Sequence, residues 1–262
     1  MVAILRIGLA LIVFGLLTPP MAAAQFIALK FDPLPEKFVP RWWHRLTLRC
    51  LGVRVHVTGA PSDQRPLLIA SNHASWTDIM VIGAHADVRY IAKSDVARWP
   101  GWGTVARLNR TVFVDRERRG KTGEQASQVA ERMASGDAMV LFPEGTTADN
   151  NFLLPFKTSL FGAAEMALEQ SGVDTLYIQP VAVAYTRLNG VAMNRSERAL
   201  TSWAGAEGLW PHVLRLLKAR AVDAQLRFGQ PIAYTAHSSR KAVARRVEAE
   251  VRAMFAEMLD KP

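Results

Sequence analysis

The chain has one cysteine, Cys50, in 262 residues. A lone thiol excludes an internal disulfide, and no Cys or His residues stand at the spacing of a structural zinc site, so no metal is expected. A Gly-x-Ser-x-Gly elbow is missing, which removes the nucleophile of a common class of serine hydrolases. Internal repeats, low-complexity tracts and long linkers are lacking as well. Negative charge is scarce: 23 Asp and Glu stand against 32 Lys and Arg, a formal charge of +9. That excess suits an anionic lipid surface, nucleic acid or an acidic carrier protein, with plain solubility as the alternative. The length is enough for one globular domain with a full core and a terminal appendage.

Charge is missing altogether from Ile7 to Leu29, between Arg6 and Lys30. The run matches the roughly 20 residues of a membrane span. Thr18-Pro19-Pro20 interrupts it, and two prolines remove two backbone donors, so two short helices joined by a turn are expected rather than one straight span. Residues 1–36 are assigned to this anchor as a helical hairpin or interrupted span, and residues 37–262 to a separate α/β domain. A single simple span is one competing reading, and a signal peptidase site after Met21-Ala22-Ala23-Ala24 is another, although apolar residues continue through Phe26, Ile27 and Leu29. The next stretch holds Arg41, Trp42, Trp43, His44 and Arg45, fitting either the headgroup layer or an amphipathic helix with its tryptophans turned inward.

Beyond Val53 the pattern alternates between strand and helix, so the expected fold is an α/β mixed sheet flanked by helices. Strands are expected at residues 53–57, 67–70, 88–92, 111–114, 138–142, 176–184 and 225–228. Thr122 with Gln125 forms a capping-box pattern, followed by the stripe Ala126, Val129, Ala130 and Met133 and closed by Gly136. A last helix is expected from Ser238 or Ser239, carrying Val243, Val247, Val251, Phe255 and Leu259 at helical spacing.

Two islands carry chemistry. In the first, Asn72-His73-Ala74-Ser75-Trp76-Thr77-Asp78 follows a strand, pairing a possible general base, His73, with a carboxylate, Asp78, that would fix its tautomer. The spacing works if His73 lies in the loop, Ser75 caps the next helix and Asp78 sits at its N3 position. The same placement also fits a cap aspartate and a backbone-bonded histidine. In the second, Phe142-Pro143-Glu144-Gly145-Thr146 ends a strand in a turn, where Gly145 permits a close approach or positive φ and Thr146 offers a hydroxyl to an anion. Glu144 would hold Arg116 or Lys157 or bind a substrate hydroxyl. Arg116 would grip a phosphate through its planar fork and Lys157 would add a point charge.

With these motifs in order, the chain resembles the glycerolipid lysophosphatidic acid acyltransferases over residues 38–235. His73 to Asp78 matches that family's His-x4-Asp motif, Phe113 to Arg116 its second motif, Phe142 to Thr146 its Phe-Pro-Glu-Gly-Thr motif and Ile178 to Val181 its proline-centred fourth. The resemblance implies His73 as base assisted by Asp78, Arg116 with Glu144, Gly145, Thr146 and Lys157 at the acceptor, and Pro180 beside the acyl chain. It also implies docking on one leaflet of a bacterial inner membrane, with the site on the cytoplasmic face. Thr147 replaces a common arginine and Ser159 a common glycine, and residues 121–161 also look like a branch that acylates lyso-ornithine lipid.

The expected activity is therefore transfer of a fatty acyl group from an acyl-carrier-protein or coenzyme A thioester to a lysolipid hydroxyl. No further cofactor and no nucleic acid is expected. The leading acceptor is 1-acylglycerol-3-phosphate, giving phosphatidic acid; lyso-ornithine lipid is the alternative. Arg98, Arg107, Arg110, Arg118, Arg119 and Lys121 form a basic band suited to an acidic carrier, to coenzyme A phosphates or to the membrane surface. A catalytically silent lipid-binding protein on the same fold is the remaining reading.

Overall fold

The computed structural model describes residues 2–31, 38–114, 122–204, 207–219 and 221–262. At the N-terminus α1 (Val2–Phe31) is one helix of 30 residues with Pro19 and Pro20 inside it. This corrects the expected break at Thr18-Pro20. Each proline removes one i→i−4 bond, but neighbouring contacts brace the helix on both sides of the gap. Phe14 packs edge-on against Trp43 of α2 (Phe38–Leu51), and Trp43 Nε1 donates to Thr18 Oγ1 at 3.2 Å. Further along, Gln25 Nε2 donates to Leu108 O at 3.0 Å. The apolar segment is therefore one helix, and α2 belongs to the stretch assigned to the α/β domain. From Ile7 to Phe31, α1 is long and apolar enough to cross a membrane, and Leu9, Ile12, Leu16, Phe26 and Phe31 point their side chains outward. On α2 the two tryptophans divide: Trp43 is buried and Trp42 is exposed.

The α/β body runs through β1 (Val53–Thr58), β2 (Leu67–Ser71), α3 (Thr77–Gly83), β3 (Val88–Lys93) and, after a 3-10 turn at Ser94–Arg98, α4 (Trp102–Leu108) and β4 (Val112–Val114). It continues with α5 (Thr122–Ala134), β5 (Ala138–Leu141), α6 (Gly162–Ser171), β6 (Thr175–Leu188), β7 (Val191–Ala192) and α7 (Arg195–Thr201). The last elements are α8 (Leu209–Lys218), β8 (Val222–Phe228), β9 (Ile232–Thr235) and α9 (Arg240–Asp260). All seven expected strands are present; β7 and β9 are additional. Along the sheet the order is β1-β8-β6-β2-β5-β3-β4, with β7 and β9 also on β6. Strands β6, β2, β5, β3 and β4 run parallel to their neighbours in that order, whereas β8 and β9 are antiparallel to β6.

Helices cover both faces. One apolar layer joins Ile69, Val140 and Val183 to residues of α2, α3 and α8; the other joins Leu68, Met139 and Ala182 to α5, α6 and α9. Burial on both sides explains why β2 and β5 are unbroken apolar runs instead of alternating ones. Ser239 caps α9, as expected, and its Val247, Val251 and Phe255 are buried.

Gly83 sets how closely α2 approaches α3. A Cβ there would overlap the buried His44 ring and lie 2.8 Å from the Tyr90 hydroxyl. Gly83→Ala is expected to destabilise the fold by about 1–3 kcal/mol, the usual range for an added group in a filled core. Thermal unfolding in detergent, compared with wild type, checks this.

Candidate active site

The loop after β2 is held by side chains that imitate backbone. Asn72 continues the β2–β6 ladder: its Nδ2 donates to Val183 O at 2.9 Å and its Oδ1 accepts from Val183 N at 2.8 Å. His73 follows, and its Nδ1 lies 2.9 Å from Asp78 Oδ2. The same oxygen accepts from the amides of Ala74 and Ser75 at 2.7 and 2.9 Å, while Oδ1 accepts from the Tyr185 hydroxyl at 2.7 Å. Asp78 is completely buried, and these four donors compensate its desolvation. Cap geometry differs from the expectation. Trp76 occupies the position before α3, Ser75 Oγ reaches only Thr77 N at 3.4 Å, and Asp78 is the second helical residue. Its carboxylate therefore turns back onto the loop rather than serving as an N3 cap.

The Phe-Pro-Glu-Gly-Thr turn packs against this loop. Phe142 stacks on the His73 ring with centroids 4.0 Å apart and planes at 17°. Gly145 has φ +75°, a left-handed conformation that favours glycine. Glu144 corrects an expectation: its carboxylate faces inward, with Oε1 accepting from His73 N at 2.8 Å and Oε2 from Leu154 N at 2.9 Å. It fastens one loop to the other through these two backbone amides. Thr146 is exposed and, like His73, lines the cavity, while Thr147 Oγ1 donates to Trp203 O at 2.6 Å.

Two further expected residues, Lys157 and Pro180, are not on this wall. Lys157 is exposed, and its amide donates to Pro143 O at 2.9 Å. Pro180 is buried inside β6, with its carbonyl accepting from Gly229 N at 2.8 Å, and it is not on the cavity wall. An antiparallel pair at this spot would return a second bond to Gly229 O; proline cannot give one, and Gln179 Nε2 does so at 2.9 Å. Arg116 lies outside the described residues, as do Arg118, Arg119 and Lys121.

His73, Phe142, Gly145 and Thr146 edge a cavity of about 330 Å³. Its walls are mainly apolar and aromatic, including Trp43, Trp76, Trp99, Trp102 and Trp203. Trp102 meets Trp43 and Trp76 edge-on at 6.1 and 5.6 Å. Trp76 Nε1 donates to Nδ1 of the buried His212 at 2.9 Å. At the inner end, burial pushes His44 down to about 4, so its ring is uncharged at neutral pH. The sequence reading weighed an inward-facing Trp43 but gave Trp76, Trp99, Trp102, Trp203 and Tyr185 no role, because an indole looks the same in sequence whether it fills a core or lines a hollow.

A family model described as Acyltransferase matches residues 53–184. The chain is also 46% identical over 255 residues to a lyso-ornithine lipid O-acyltransferase of Brucella abortus, covering 97% of this chain and 96% of that one. The chain belongs to the acyltransferase family. A second acyltransferase, the lyso-ornithine lipid O-acyltransferase of Rhizobium meliloti, is 42% identical over 252 residues, covering 96% of this chain and 85% of the relative. The crystal structure of the 1-acyl-sn-glycerophosphate acyltransferase from Thermotoga maritima superposes with a TM-score of 0.68 over 98% of both chains at 20% identity, which shows a common fold.

In this acyltransferase the burial of Glu144 pushes its carboxyl up to about 7, against the pull of the His73 and Leu154 amides. Below pH 4.5 the folded and unfolded chains both hold that proton; between 4.5 and about 7 only the folded chain does. The group's contribution to stability therefore declines as pH rises through that window. Glu144→Gln should remove that part of the pH dependence from the thermal midpoint measured between pH 5 and 8. At acidic pH it should cost about 1–3 kcal/mol, because an amide nitrogen then faces one of the two backbone N–H groups.

Proposed function

We propose that the protein transfers a fatty acyl group from an acyl-carrier-protein or coenzyme A thioester to the free hydroxyl of lyso-ornithine lipid at a membrane surface. The observation that carries the reaction is the His73–Asp78 contact of 2.9 Å at the rim of an apolar cavity. With the Nδ1 proton directed at Asp78, Nε2 keeps its lone pair for the acceptor hydroxyl. The hydroxyl proton moves to Nε2 as the oxygen adds to the thioester carbonyl, and the imidazolium then returns it to the departing thiolate. Transfer is direct, with no acyl-enzyme. Thr146 is assigned to the acceptor and the aromatic walls to acyl chains. In this reading α1 is the anchor, long and apolar enough to cross a membrane, and the reaction takes place at the cytoplasmic face of a bacterial inner membrane. Beside α4, Arg98, Arg107 and Arg110 supply positive charge for an acidic carrier or for coenzyme A phosphates.

Support for the acceptor comes from the relatives that match over nearly the whole chain, both named for lyso-ornithine lipid. An acceptor phosphate would call for Arg116 and Lys157 at the cavity; Lys157 is exposed and is not among the residues that line it. Purified protein offered both lysolipids in competition should convert lyso-ornithine lipid preferentially, with products weighed by mass spectrometry. Exclusive formation of phosphatidic acid would reverse the acceptor assignment.

His73→Ala is expected to lower turnover by roughly 10²–10⁴-fold, the range for loss of a general base, with the fold and lipid binding retained. Steady-state transfer rates and vesicle co-sedimentation of the same preparation check the two halves separately.

A further inference from the structure

Trp99, after β3, and Trp203, after α7, meet at the cavity from different elements of the fold. Their rings meet edge to face, with centroids 5.7 Å apart and planes at 81°. Both line the cavity and both are half-buried, whereas Trp76, Tyr90 and His44 at its other side are buried. The pair thus stands at the boundary with solvent. Trp203 is fixed directly to the base-bearing loops: its amide donates to Ala74 O at 2.8 Å and its carbonyl accepts from Thr147 Oγ1 at 2.6 Å. Its indole N–H donates to Glu207 O at 2.8 Å, and Glu207 is in turn paired with Arg215. Trp99 is carried by the turn after β3, with its amide on Val96 O and its carbonyl on Gly103 N.

A base able to take a proton from a lipid alcohol can take one from water, and water is far more abundant. From these positions we infer that the Trp99–Trp203 pair selects the nucleophile, roofing the cavity beside His73 so that the lipid hydroxyl reaches the thioester and water does not. This rests on the acyl-transfer reading above. With the roof removed, a water oxygen bonds to the thioester carbonyl carbon, His73 takes the water proton, the C–S bond breaks and the thiolate recovers that proton. The products are a free fatty acid and a thiol. Trp99 and Trp203 are positioning residues: they act on which molecule meets His73.

The test uses the full chain in detergent with palmitoyl coenzyme A, or the palmitoyl carrier protein, and lyso-ornithine lipid, following free palmitate and acylated lipid together. In Trp99→Ala and in Trp203→Ala the ratio of hydrolysis to transfer should rise about tenfold, equivalent to about 1.4 kcal/mol of lost discrimination. Trp99→Phe should restore a low ratio, and His73→Ala placed on Trp203→Ala should abolish the added hydrolysis. A ratio unchanged in both alanine variants overturns the inference, as does a parallel fall of both reactions, which marks a structural role. Trp99 has no bond to the base-bearing loops in the contacts above, so its variant keeps the test open if Trp203→Ala fails to fold. Wild-type protein that transfers no acyl group to the lysolipid overturns the proposed function instead, and the two failures are distinct.

Discussion

The buried carboxylate of Asp78 is the constraint on which the rest of the site depends. A charge removed from water is tolerated only where donors surround it, and the donors here come from three places: the His73 ring, the two amides after it, and Tyr185 on β6. Satisfying that charge therefore fixes the loop, the first turn of α3 and the middle of the sheet relative to one another. Asn72 and Glu144 finish the framework from either side, the first by extending the β2–β6 ladder and the second by bridging two loops. What is left without a framework role is one edge of an imidazole at the rim of a hollow.

That hollow lies between the sheet and the helices nearest the N-terminus. Its aromatic lining combines apolar area with defined edge-to-face contacts, giving a wall that is greasy yet stiff. Polar indole groups are drawn away from the lumen: Trp43 donates to Thr18, Trp76 to His212 and Trp203 to Glu207 O. The cavity thus takes its shape from hydrogen bonds made behind it.

Much of the fold was legible because burial on both faces writes aliphatic runs in β2 and β5, while β1 and β8 show alternation, and all seven expected strands are present. The first island was legible for a chemical reason, since a histidine and an aspartate five residues apart can meet only where a loop turns into a helix. The second misled at Glu144, because sequence cannot show whether a carboxylate looks out at a ligand or in at two amides. Pro180 misled in a similar way; its position was right for a motif, but only the three-dimensional register shows that Gln179 supplies the bond it lacks. β7 and β9 escaped because a strand of two residues and one of four behind Pro231 carry little periodicity. The unbroken course of α1 through Pro19 and Pro20 depends on contacts with Trp43 and Leu108, which are distant in sequence and were invisible there.

The bond from Trp43 to Thr18 has a mechanical side. Trp43, His44, Val105 and Asn109 each border both the main cavity and a small void of about 40 Å³ against α1, so a single layer of side chains divides the two. The setting of α1 and the shape of the hollow are therefore not independent: the side chains that seat the apolar helix are the same ones that wall the chamber.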